Sequence, residues 1–275
     1  MNMLVLNNRR DWDSIANTSL KLSAQLWFVV AAIGMWLFVY YIAGFYGSET
    51  MQGNFEAWSR NKSLPHGFVR GDTVGNLQFA AHVLMAAVLT LGGTLQLIPQ
   101  LRARVPKLHR WTGRVFIVLA ILLSLGGLYM VWISGRYSQL VNALGISLNA
   151  VLIIVSGVMA WRYAVARDFA SHHRWALRTF MLAGGVWFMR LGYMAWIIIN
   201  QGPVGIGENG DGPFDMVWQF GSFLLPLLML EIYLRVKQSG GTSARFLTAA
   251  ALVVSSVLTG IGIFGAYMFM WRPLL

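Results

Sequence analysis

Seven apolar runs, each 20 to 25 residues long, limit what this chain can fold into more than any motif does: Leu26–Phe45, Leu77–Ile98, Trp111–Ile133, Gly145–Val165, Trp175–Ile199, Phe214–Tyr233 and Phe246–Met270. A helix needs about 20 apolar residues to cross the hydrocarbon core of a bilayer. Inside that core every backbone N–H and C=O must be satisfied within the protein, which leaves helices or closed barrels. The runs are continuous rather than alternating, so the expectation is an all-α, polytopic integral membrane helical bundle of about seven transmembrane helices. Composition agrees, with 57% hydrophobic residues and only 11% charged, where soluble domains carry roughly a quarter. Pro226 falls inside the sixth run, where a membrane helix tolerates it as a kink.

Seven crossings put the two termini on opposite sides. Fifteen basic residues fall in the N-terminal segment and in the loops after the second, fourth and sixth runs, against five on the other side. The positive-inside rule then predicts N-in, C-out. Residues 1–25 read as a cytoplasmic segment and 26–270 as one membrane domain, with a short tail at 271–275. The first run is too long for the core of a signal peptide. The net charge of +11 reads as membrane topology, not as a nucleic-acid surface. The chain has no cysteine, which excludes disulfides, a thiolate nucleophile and cysteine-held metal. P-loop, nucleophile-elbow and zinc-protease motifs are absent.

Within this frame one octet occurs twice. His-Arg-Trp-x-x-Arg-x-Phe is formed by His109, Arg110, Trp111, Arg114 and Phe116, then by His173, Arg174, Trp175, Arg178 and Phe180, 64 residues later. Each copy opens a run that starts on the basic side, so residues 77–133 and 145–199 read as a partial parallel hairpin repeat. Positions i and i+4 share a helix face, so Arg110 with Arg114, and Arg174 with Arg178, form two candidate clamps for an anion: a lipid phosphate, a carboxylate or a heme propionate. The plainer reading is an interfacial belt of tryptophan and snorkelling arginine. His109 and His173 stand at matched depth on two helices of one direction. Two such imidazoles can supply both axial ligands of a heme iron, with His172 as a substitute for His173. The glycine pairs 92–93, 126–127 and 184–185 lie far along their helices from these histidines and read as packing contacts.

Ionisable residues deep in a membrane are functional candidates. Arg190 is about 25 Å along its helix from His173, and His82 lies about 8 Å below the opposite edge. They form a candidate outer polar pocket, with Asp72 as the neutralising carboxylate and loop residue His66 nearby. Near the basic end, Glu231 is expected to pair with Arg178, since a lone buried charge is costly.

The segments QLRARVPKLHRWTGRVF (100–116) and SHHRWALRTFMLAGGVWFMRLGY (171–193) resemble a family of bacterial predicted membrane proteins, domain of unknown function 2306. The resemblance covers roughly Leu77 to Arg190 and implies a multi-helix protein of the bacterial inner membrane, without fixing a chemistry. A looser likeness to four-helix b561-type cytochromes fails at the fourth run, which has no histidine. Three functional expectations follow. The first is a redox protein holding one b-type heme or a quinone near His109 and His173. The second is a small-solute transporter using Arg190 and His82. The third is a non-catalytic accessory subunit or lipid-binding scaffold. The bilayer is a partner in each, with a quinone or a second membrane subunit in some.

Overall fold

The computed structural model describes residues 2–61, 67–133 and 139–275, with side chains from Asp11 onward. His66 lies outside the described residues. All regular structure among them is helical. α1 (Asn2–Tyr41) runs on through a π-helical stretch, Ile42–Gly47, into α2 (Ser48–Met51). There follow α3 (Thr73–Gln96), α4 (Pro99–Arg104), α5 (Pro106–Trp132), α6 (Leu140–Val165), α7 (Phe169–Ala183), α8 (Gly185–Ile199), α9 (Pro213–Ser239) and α10 (Thr242–Gly265). A second π stretch, Ala266–Trp271, ends the last helix. Six helices are long and apolar enough to cross a membrane, and α7 with α8 makes a seventh crossing if the bent pair is one span.

Local chemistry sets most boundaries. Asp72 caps α3 by accepting the Gly75 N–H at 2.9 Å, and Asp168 caps α7 by accepting the Ser171 N–H at 3.1 Å. Each cap satisfies one of the amides that a helix N-terminus leaves open. Pro106 and Pro213 open α5 and α9, where the missing N–H is no loss. α9 continues through Pro226. The expected N-terminal segment 1–25 and first span are one helix: Ala16 and Leu20 are buried, Trp12 meets Phe246 edge-on at 6.4 Å, and the Asp13 carboxylate accepts from Thr242. α1 and α10 therefore start at the same end.

The largest departure from expectation is in the fifth run. It breaks at Gly184, and α7 and α8 diverge by 52°. Sharp bends in helices gather at proline and at pairs of small residues, and this one sits on the Gly184-Gly185 pair.

Between lipid-facing helices burial from water does not drive association, so close packing must. A Cβ on Gly262 would sit 2.5 Å from the Leu191 carbonyl oxygen, and one on Gly265 would sit 2.8 Å from Met194 Cβ. Those two glycines let α10 lie against α8. Large apolar side chains such as Ile33, Trp36, Leu122, Leu125 and Val254 are exposed around the bundle, as a lipid-facing surface requires. One buried cluster runs from Ala31 to Trp271 through the middle.

Candidate functional site

The helices enclose a central cavity of about 240 Å³, walled by α1 and its π stretch, α3, α5, α6, the α7–α8 break and α9, with α10 outside. Its floor, toward the basic end, is where the two octets meet. Phe116 and Phe180, their last residues, both line it. Both rings close on Gly93 of α3: a Cβ there would come 2.8 Å from Phe116 Cε2 and 3.2 Å from Phe180 Cδ2. The doubled motif thus brings two phenylalanines from two parallel helices to one glycine. Its Trp-x-x-Arg part also recurs as structure, since Arg114 lies 5.3 Å from the Trp111 ring and Arg178 lies 4.5 Å from the Trp175 ring. Such cation–π contacts suit an interfacial belt.

At the other end an aromatic roof closes the cavity. Tyr41, Tyr46 and Phe38 line it, backed by Phe45 and Trp271 through ring contacts of 4.7 to 6.1 Å. Asn61 donates to both tyrosine hydroxyls, at 2.9 Å to Tyr41 and 2.8 Å to Tyr46. Tyr46 belongs to the π stretch, and such distortions gather at functional sites.

His82 and Arg190 face this same space. Gly126 of α5 lies beside His82: a Cβ there would be 3.6 Å from His82 Nδ1, ordinary contact distance. Among the described residues no hydrogen bond engages the His82 ring. Arg190 donates from Nη1 to the Val186 carbonyl at 2.9 Å and lies 5.5 Å from the Phe38 ring. Among the described residues no carboxylate lines the cavity and no ion pair reaches Arg190. The expected partner, Asp72, serves as the α3 cap instead and does not neutralise it. The side chain left over is a half-buried guanidinium with free N–H groups. Beside it, the amides that open α8 lack the carbonyl acceptors a continuous helix would supply.

Two amides complete the polar lining, and reading only ionisable residues missed them. Asn149 packs its Nδ2 against Gly185, 2.9 Å from where a Cβ would be, and its Oδ1 is buried with no partner. Gln219 lies against Gly145 and donates to the Asn142 carbonyl at 3.4 Å. Both are lone amides in apolar runs, a signal visible in the sequence. Ser124 and Ser222 also line the wall. The glycine pairs accordingly serve this cavity as well as helix packing: Gly127, Gly184 and Gly185 line it, and Gly126 backs His82.

The octet histidines are elsewhere. None of His109, His172 and His173 lines the cavity. His172 Nδ1 donates to the Ala160 carbonyl of α6 at 2.9 Å, and His173 is exposed. The charges nearest His109 and His173 are cationic, with Arg102 common to both. The paired clamps also dissolve in the second copy. Arg178 forms a two-pronged ion pair with Glu231, at 2.6 and 3.1 Å, while Arg174 turns to Gln238 Oε1 at 2.6 Å. In the first copy Arg110 is exposed and Arg114 covers Trp111. Among the described residues no group of three or more His, Asp or Glu side chains is placed to hold a metal ion.

A further anchor stands in the first turn of α9. Asp215, 2% exposed, accepts from the Tyr193 hydroxyl at 2.6 Å and from the Gly207 and Gly212 amides at 2.8 and 2.9 Å. It ties the loop before α9 to α8, at the same end as the aromatic roof.

No curated protein and no solved structure matches the chain. The model of one family, described as predicted membrane protein (DUF2306), matches residues 79–205, from α3 through α8 and the segment just after it. That stretch supplies His82, both octets, the glycine break and Arg190, so the region that is similar to DUF2306 builds most of the cavity.

Proposed function

We propose that this chain is a membrane carrier that takes a small solute into the central cavity, with Arg190 and His82 as binding residues and the α7–α8 break as the part that moves. One observation carries the reading: an unneutralised arginine lines a cavity at the break in a membrane helix. Transporters commonly build their sites near the bilayer midplane from discontinuous helices, whose open amides and N-terminal dipole face the substrate. The basic end then faces the cytoplasm of a bacterial inner membrane, as the excess of arginine and lysine there argues. The octets act as anchors for that end and as the floor of the site. The heme and quinone expectations, which rested on His109 and His173, have no comparable support.

The test is flux into proteoliposomes with four probes of one shape and different charge: benzoate, benzamide, benzylamine and phthalate. The reading expects protein-dependent flux of at least one of them, slowed by Ala150→Phe, which fills the cavity. Flux equal to that of empty vesicles for all four, or flux indifferent to Ala150→Phe, would contradict it.

A further inference from the structure

Resting on the carrier reading, we infer that the solute is a small, largely apolar organic monoanion, a carboxylate with an aromatic or branched body. Size sets the first limit. A cavity of about 150 Å³ accepts one benzene ring. On that scale the 240 Å³ here holds about ten non-hydrogen atoms. That is far too small for heme and too small for a lipid headgroup with its chains.

Charge sets the second limit. Among the described residues Arg190 is the single fixed charge on the wall, and a guanidinium does not lose its proton in a protein. A half-buried cation with no counter-charge among the described residues carries a desolvation cost, which an arriving anion would offset. One cation matches one negative charge. A dianion would bring a second, uncompensated charge into the bilayer at the same penalty. The geometry suits a carboxylate: Arg190 uses Nη1 on the Val186 carbonyl and keeps other N–H groups of its planar fork for two oxygens.

The remaining wall sets the third limit. Away from Arg190 the lining is dominated by Phe79, Phe116, Phe180, Trp187, Phe223 and aliphatic groups. Burial there favours an apolar body, and aromatic faces favour a flat one. The amides of Asn149 and Gln219, with His82 and the hydroxyls of Ser124 and Ser222, add a polar margin to this mainly apolar wall.

Titration calorimetry on the detergent-purified full chain, with the same four probes, tests the inference. Benzoate is expected to bind at least tenfold more tightly than benzamide, benzylamine or phthalate. Arg190→Gln is expected to weaken benzoate by about tenfold to a hundredfold, the range for losing a hydrogen bond to a charged group. Benzamide binding should weaken by a smaller factor in this variant than benzoate binding does. Arg190→Lys, which keeps the charge and serves if the glutamine variant does not fold, should retain the preference for benzoate over benzamide. Benzamide or phthalate binding as tightly as benzoate would overturn the monoanion inference and leave the carrier reading standing on its flux result. Absence of benzoate binding up to millimolar concentration would overturn it too. Protein-dependent flux of another probe would then show that the carrier reading survives.

Discussion

Two adjacent glycines in α3 should respond in opposite senses to the same substitution. A Cβ on Gly92 meets nothing within 4 Å, whereas one on Gly93 comes 2.8 Å from Phe116 and 3.2 Å from Phe180. Glycine in a helix interior is about 0.8–1 kcal/mol less favourable than alanine, so Gly92→Ala should stabilise the protein by up to about 1 kcal/mol. Gly93→Ala gains the same helix propensity, but it must displace two rings that are 7% and 5% exposed. Overpacking of that kind costs about 1–3 kcal/mol. The net for Gly93→Ala is then roughly 0–2 kcal/mol of destabilisation, and the two variants should differ by about 1–3 kcal/mol. Unfolding of the detergent-solubilised protein, followed by circular dichroism over a denaturant series, measures that difference. Adding Phe116→Leu to Gly93→Ala should recover part of the loss, since it removes the ring that the new methyl group meets. Equal effects at 92 and 93, or no rescue by Phe116→Leu, would refute the convergence of the two octets on α3.

Other consequences follow from single contacts. Breaking the Arg178–Glu231 pair, whose side chains are 22% and 25% exposed, with Glu231→Gln should cost about 1–3 kcal/mol by stranding a half-buried guanidinium; the exchanged pair Arg178→Glu with Glu231→Arg should restore part of it in the same unfolding assay. Asp215→Asn should loosen the loop before α9, seen as faster hydrogen exchange at the Gly207 and Gly212 amides. Hydrogen bonding to Ser171 holds the Asp168 carboxyl below its ordinary range. Its support of α7 is therefore full above the ordinary aspartate range and lost as pH falls through the depressed value. The protection factor of the Ser171 amide, its exchange relative to the intrinsic rate at each pH, should fall on acidification in the native chain and lose that dependence in Asp168→Asn.

The helices were legible because the bilayer leaves few alternatives: seven apolar runs became six long helices and one bent pair. The break in the fifth run was not, although its cause was in view. Gly184-Gly185 resembles Gly92-Gly93 in sequence, but only the former bends. The gathering of His82 and Arg190 followed from depth along two helices. Depth does not fix rotation about a helix axis, which is why Asp72, near in sequence, became a cap and not a counter-ion. The same limit applies to the octet histidines. His109 and His173 do start two parallel helices, but an adjacent residue on a helix points about 100° away, and it is His172 that turns inward to α6. The amides Asn149 and Gln219 went unread because attention stayed on residues that titrate.

The native sequence contains no cysteine, so single cysteines report cavity access without background. Ser124→Cys and Ser222→Cys place a thiol on the cavity wall, and Ser156→Cys places one at a buried site away from it. In proteoliposomes, a small membrane-impermeant thiosulfonate reagent should modify the first two, more slowly with benzoate present, and should leave position 156 intact. If cysteines at 124 and 222 stay as unreactive as the one at 156, no solute reaches the cavity from water and the carrier account is wrong.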